Sequence, residues 1–156
     1  MKVWAGVDPG ADGAIALITE NGDVKICELT DENLLQFCRD IKSNGNECIC
    51  AVEDVASSPQ MGVRSAFTFG MGFGKIIMAL QCFDISFALV KPSRWKVELG
   101  CNIGKSATTA QKKKKDIEVC RHLYPNVSLK KTERCKTDSD GFADSVLLAT
   151  YAKRKF

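Results

Sequence analysis

Residues 2–18, KVWAGVDPGADGAIALI, read as two strands joined by a turn, and the first strand ends on a carboxylate. Residues 2–7 are apolar enough for a buried strand, and residues 14–18 for a second. Pro9-Gly10 and Asp12-Gly13 lie between them, and Asp-Gly suits a two-residue hairpin. Asp8 stands where the first strand runs out. A charge at the end of a central strand is costly unless a cation or hydrogen bonds satisfy it. The expectation is that Asp8 holds a metal ion and that later segments return to it with further carboxylates.

Working outward, Gly22-Asp23 marks another turn and residues 24–29 a third strand, which makes an antiparallel meander. Thr30 can cap a helix whose first turn carries Asp31 and Glu32, where the helix dipole favours negative charge. Leu34, Leu35, Phe37, Cys38 and Ile41 recur at helical spacing, and Ser43-Asn44-Gly45 ends the run. Residues 48–55 form a short apolar run bounded by turns, the pattern of a buried strand parallel to the first. A loop over 59–63 leads to residues 64–82, a long helix or a loop and then a helix, with Gly70, Gly72 and Gly74, and residues 85–90 read as the next strand. Pro92 and Trp95 open a short helix, residues 105–123 a basic one, and residues 126–138 a polar loop. Ser139 can cap a last helix running to residue 153. No repeat or long linker divides the chain, so residues 1–156 are expected to form one domain. Composition alone says α/β; a meander followed by βαβ units in one mixed sheet is the ribonuclease H-like architecture.

Hydrophobic residues make up 45% of the chain and charged residues 26%, as in an ordinary globular protein. Only five uncharged residues separate Lys2 from Asp8, too few for a signal-peptide core. The longest weakly charged run, residues 65–80, contains Lys75 and four glycine or threonine breaks, so no membrane span is expected. The eight cysteines contain no C-x-x-C pair and the one histidine is His122, a pattern unsuited to structural zinc. Reduced core thiols in a cytoplasmic protein are the simpler reading. Charge is uneven: residues 1–90 carry 6 basic and 12 acidic side chains, residues 91–156 carry 16 and 7. A basic second half points to a polyanionic partner, although a solvated lysine surface has the same composition.

Carboxylates recur in two further places. Alternation along the fourth strand puts Ile49, Ala51, Glu53 and Val55 on one face and Cys50, Val52 and Asp54 on the other. Carboxylates are almost never fully buried unpaired, so Glu53 and Asp54 require either a salt bridge at the strand end or a metal site beside Asp8. Asp138, Asp140 and Asp144 cluster at the start of the last helix. Residues four apart share a helix face, so Asp140 and Asp144 can address one point; a simple cap with a solvated neighbour is the alternative. Oxygen ligands select magnesium or manganese over zinc. Two such ions about 4 Å apart can activate water and stabilise the leaving oxygen of a phosphodiester.

With these residues in view, the chain resembles the RuvC-type Holliday-junction resolvases, especially phage-like members, and at the last helix the mitochondrial resolvases. GVDPGADGAIAL resembles the family's opening hairpin, AVEDV its second motif, and SDGFADSVLLATYA its closing helix. The resemblance implies Asp8, Glu53, Asp140 and Asp144 as catalytic carboxylates and ligands of two Mg2+ (or Mn2+) ions. The last two acids stand four apart, as in mitochondrial relatives, where bacterial members have three; Asp138 is the substitute for Asp140. GVRSAFTFGMGFGKI resembles the helix at the family's dimer interface and junction centre, implying Phe67 and Phe69 as aromatic wedges between bases; ordinary core packing is the alternative. VKPSRWKVELG, followed by Lys105, resembles the basic motif, implying Lys96 and Lys105 as phosphate contacts, with Lys112 and Lys115 extending the track. The implied protein is a homodimeric endonuclease that cuts four-way DNA junctions by paired symmetric hydrolysis. Related readings are a flap or fork nuclease and a junction-binding protein that does not cut. An actin-like ATPase shares the opening turn, but 156 residues leave no room for its duplicated domain.

Overall fold

The computed structural model describes residues 1–57, 60–104 and 106–156. Five strands form one mixed sheet: β1 (Lys2–Asp8), β2 (Ala14–Thr19), β3 (Val24–Glu28), β4 (Glu47–Glu53) and β5 (Ser86–Val90). Their order is β3-β2-β1-β4-β5, so β1 is central. It pairs antiparallel with β2 and parallel with β4, and β4 pairs parallel with β5. Five helices complete the chain: α1 (Asp31–Ser43), α2 (Val63–Cys82), α3 (Pro92–Glu98), α4 (Thr109–Leu123) and α5 (Asp140–Lys155). This is the ribonuclease H-like arrangement, a meander followed by parallel crossovers.

The sheet separates two cores. Val3, Ala5, Val7, Cys50 and Val52 face α1 and α2, meeting Leu34, Cys38, Ile76 and Leu80. On the other face Trp4, Ala16 and Ala51 meet α5, along with Trp95 of α3 and Cys120 of α4. Helix α5 is buried along most of its length, which is why its apolar residues run without a polar stripe. All eight cysteines are free, and five are buried. Burial pushes the Cys48, Cys101 and Cys120 thiols up to about 12, as expected of inert core thiols.

Local chemistry sets the element ends. Thr30 Oγ1 accepts from the Asn33 N–H at 3.1 Å to start α1, and Gly45, at φ +60, follows its end. Helix α4 begins at Thr109 because Thr108 and Gln111 form a reciprocal capping box, later than the lysine content suggests. The connection after β1 spans residues 9–13, since Asp8 pairs with Ala14, and it is longer than a two-residue hairpin. The Gly13 N–H closes it onto the Gly10 carbonyl at 2.9 Å. A Cβ at Gly13 would lie 2.2 Å from the Asp8 carbonyl, so the turn admits only glycine there. Strand β4 stops at Glu53, two residues short of the apolar run, although the Asp54 N–H still reaches the Val90 carbonyl at 2.9 Å.

Helix α2 departs from expectation. Despite its glycines and Lys75, it is the one helix among the described residues that is long and apolar enough, by length and composition, to cross a membrane. Ile76, Ala79 and Leu80 fasten it to the sheet, and Lys75 Nζ lies 2.6 Å from Asp31 of α1.

Candidate active site

Two neighbouring strands and one helix end bring the acids together. In the parallel β1–β4 register Val7 lies beside Val52, so the next rung sets Asp8 beside Glu53, one strand spacing (about 4.8 Å) across the sheet. Alternation puts both on the face covered by α5. Gly6 lets that helix come close: a Cβ there would lie 2.1 Å from the Ser145 carbonyl oxygen and 2.4 Å from the Ala149 nitrogen. Gly141 does the same at the helix start, where a Cβ would stand 3.3 Å from Asp8 Oδ2. Asp8 therefore sits against the first turn of α5, between Asp140 and the approach to Asp144.

Each acid is held and shifted by identifiable neighbours. The Gly10 N–H donates to Asp8 Oδ1 at 3.0 Å. Burial raises the Asp8 pKa, the Gly10 bond opposes it, and the Asp140 charge adds to it. Glu53 is 8% exposed and its Oε1 accepts from the indole Nε1 of Trp95 at 3.0 Å. Burial and then the Asp8 charge push Glu53 up to about 7, against the Trp95 bond. Asp144 is raised well above the carboxylate range, first by burial and then by the charge of Asp116; its Oδ1 is buried without a partner among the described residues.

Sequence reasoning missed Asp116 and Trp95 as site residues. Asp116 of α4 is 1% exposed and lies against Asp144. Burial raises its pKa, while the Lys96 ammonium, 2.5 Å from its Oδ2, opposes the shift. A signal was available: Asp116 and Cys120 are four apart and share the buried face of α4. The run of four lysines before Asp116 hides that phase. Lys96 does not point outward. Its ammonium is 4.7 Å from the Trp95 ring centre and among the charges of Asp144, Asp116 and Glu53. Burial alone would lower the Lys96 pKa; the Asp116 hydrogen bond and those three charges outweigh it and hold it high. Lys113 pairs with Asp140 at 2.5 Å. Asp138 turns away to Arg121, whose Nη2 and Nε lie 2.5 and 2.6 Å from its Oδ2.

The other candidates among the described residues lie on α2 and α4. Phe67 is 67% exposed on α2, and Phe69 is half-buried, stacked on Phe73 at 6.5 Å. Lys112 is exposed and Lys115 half-buried on α4. Lys105 lies outside the described residues. Between the Asp8 loop and α2 runs a groove lined by Pro9, Gly10, Arg64, Thr68, Phe69 and Lys75.

Among the described residues no group of three or more Cys, His, Asp or Glu side chains is arranged to hold a metal ion. The donor chemistry nevertheless suits a hard cation: every acid supplies oxygen, Asp144 Oδ1 is buried without a partner among the described residues, and burial, with repulsion from neighbouring acids adding to it, raises Asp8, Glu53 and Asp144. A divalent ion would relieve that repulsion.

No protein-family model matches the chain, and no curated protein does. Solved structures do. The Thermus thermophilus RuvC structure superposes with a TM-score of 0.57 at 16% identity, over 94% of this chain and 90% of that one. T. thermophilus RuvC in complex with a Holliday junction substrate gives 0.60 at 15% identity, over 99% and 97%. The chain has the RuvC fold. In this RuvC fold the ends of β1 and β4 and the start of α5 share one edge of the sheet, and that edge carries the acids.

Proposed function

We propose that this protein is a metal-dependent endonuclease that resolves four-way DNA junctions, the reading best supported by the meeting of Asp8, Glu53 and Asp144 at one sheet edge of a RuvC fold. A structural neighbour is RuvC bound to a Holliday junction substrate, which supports a branched DNA as the ligand.

Asp8, Glu53, Asp140 and Asp144 are the residues that would hold two magnesium or manganese ions. Divalent ions bound there supply water activation and charge neutralisation at the leaving oxygen of a phosphodiester. The chain's own residues supply placement. The Gly10 N–H and Trp95 indole fix one oxygen each of Asp8 and Glu53, leaving the second oxygen of each free to turn toward the ions. Lys113, paired with Asp140 at the rim, stands where a phosphate backbone would enter, with Lys112 and Lys115 beyond it on α4. Such contacts strengthen binding in a manner that weakens steeply with salt.

A junction has approximate two-fold symmetry, so two copies of the chain present two sites for paired cuts. The stripe of Val63, Phe67, Met71 and Met78 on α2, each at least 50% exposed, supports pairing of two copies or contact with unstacked bases. Incubation of labelled four-way junction, flap and plain duplex with Mg2+ tests the reading. Paired symmetric nicks in the junction, faster than cutting of flap or duplex, are expected; faster cutting of flaps would redirect the assignment to a flap nuclease.

A further inference from the structure

Lys96, expected as a phosphate contact, is instead paired with Asp116, and neither residue is among the proposed metal ligands. The ammonium and carboxylate are 2.5 Å apart, Asp116 is 1% exposed, and Asp116 Oδ1 has no hydrogen-bond partner among the described residues. A buried ion pair off the site would serve packing alone. This one lies between the acids: the Lys96 ammonium caps the indole that binds Glu53, and Asp116 lies against Asp144. Three acids and one cation thus lie close together in a largely buried place, and Asp144 Oδ1 is buried there without a hydrogen-bond partner among the described residues.

We propose that Lys96 is an internal counter-cation, held by Asp116 among the metal-binding acids, and that its charge competes with the divalent ions for those acids. Asp116 is then a positioning residue acting through the ammonium. In the metal-free protein the ammonium offsets repulsion among Glu53, Asp144 and Asp116 and keeps the edge of the sheet packed. When ions enter, the same charge opposes them, and Asp116 gives the ammonium somewhere to remain. The balance sets metal affinity low enough for ions to exchange between cuts. This inference rests on the metal site proposed above.

Opposite signs of two substitutions separate it from a packing role. Removing the ammonium leaves the acids uncompensated, so Lys96→Met should bind Mg2+ about tenfold more tightly, equivalent to ~1.4 kcal/mol. It should also melt at a lower temperature in EDTA. Lys96→Gln, which can still hydrogen-bond Asp116, should shift affinity the same way. Asp116→Asn removes the partner that holds the ammonium back, so the lysine turns to Glu53 and Asp144 and Mg2+ binding weakens. Calorimetric titration of Mg2+ into each full-length variant reads these changes without reference to cleavage. Unchanged or weaker binding in both Lys96 variants would overturn the proposal. If Lys96→Met does not fold without metal, Lys96→Gln and Asp116→Asn decide it by the same signs. Asp8→Asn is the control: wild type binding Mg2+ no better than Asp8→Asn would remove the metal site itself, and this proposal with it.

Discussion

Trp95 Nε1 donates a 3.0 Å hydrogen bond to Glu53 Oε1, joining the first turns of α3 to the end of β4 across the buried face of the sheet. The bond favours the charged carboxylate and fixes which oxygen remains available. Trp95→Phe keeps most of the apolar volume and deletes the donor. It is expected to raise the Glu53 pKa above its present value of about 7 and to move the acid limb of the cleavage profile to higher pH. Rate against pH for both proteins checks this; a parallel loss at every pH would show that Trp95 serves packing alone.

Metal-free stability should fall as pH rises. Glu53 has an ordinary value of 4.5 and is pushed up to about 7 in the folded protein, so between these values the folded state binds more protons than the unfolded one. Stability is greatest below the ordinary value, declines across that window and levels off above it. Glu53 contributes about 3 kcal/mol to the decline, at 1.36 kcal/mol per pKa unit, and Asp8 and Asp144 act in the same direction. Urea unfolding in EDTA at pH 5 and pH 8 measures the difference. Added Mg2+ should restore much of the stability at the higher pH, where the acids are ionised.

Asp138 is paired with Arg121 and not turned to the other acids. Its carboxylate is 7% exposed and engaged by two guanidinium nitrogens. Asp138→Asn should cost about 1–3 kcal/mol of stability, because a charged hydrogen bond is lost beneath the loop. Mg2+ affinity should be unchanged by calorimetry. Loss of Mg2+ binding in this variant would return Asp138 to the ligand set.

Gly6→Ala should prevent folding. Its Cβ would meet backbone atoms of Ser145 and Ala149 at 2.1 and 2.4 Å, so α5 would have to move off β1. Circular dichroism of the purified variant reads the outcome, and a cooperative transition at wild-type temperature would refute the close approach.

The fold was legible where periodicity and turn chemistry agreed. The meander, the Thr30 cap, the parallel fourth strand and the Ser139 cap all follow from short-range rules and stand where expected. The gathering of the acids was legible at the strand ends and in the i, i+4 spacing on the last helix. Asp8 ends β1 and Glu53 ends β4, and parallel pairing aligns them. Asp116 was hidden because four preceding lysines blur the helical phase of α4; Lys96 was singled out, but as a phosphate contact and not as the partner of a buried acid. Asp138 could not be separated from Asp140 by spacing; only the position of Arg121 on α4 distinguishes them. Nothing in the sequence fixes which way these long side chains turn.

The most direct test is cleavage of a labelled four-way junction in Mg2+ by wild type and Asp8→Asn, with binding measured in parallel. Wild type should give paired symmetric nicks, while Asp8→Asn, which keeps the shape of the carboxylate and loses its charge, should bind the junction with similar affinity and cut at least about a hundredfold more slowly. Asp8→Asn cutting at the wild-type rate would contradict the account.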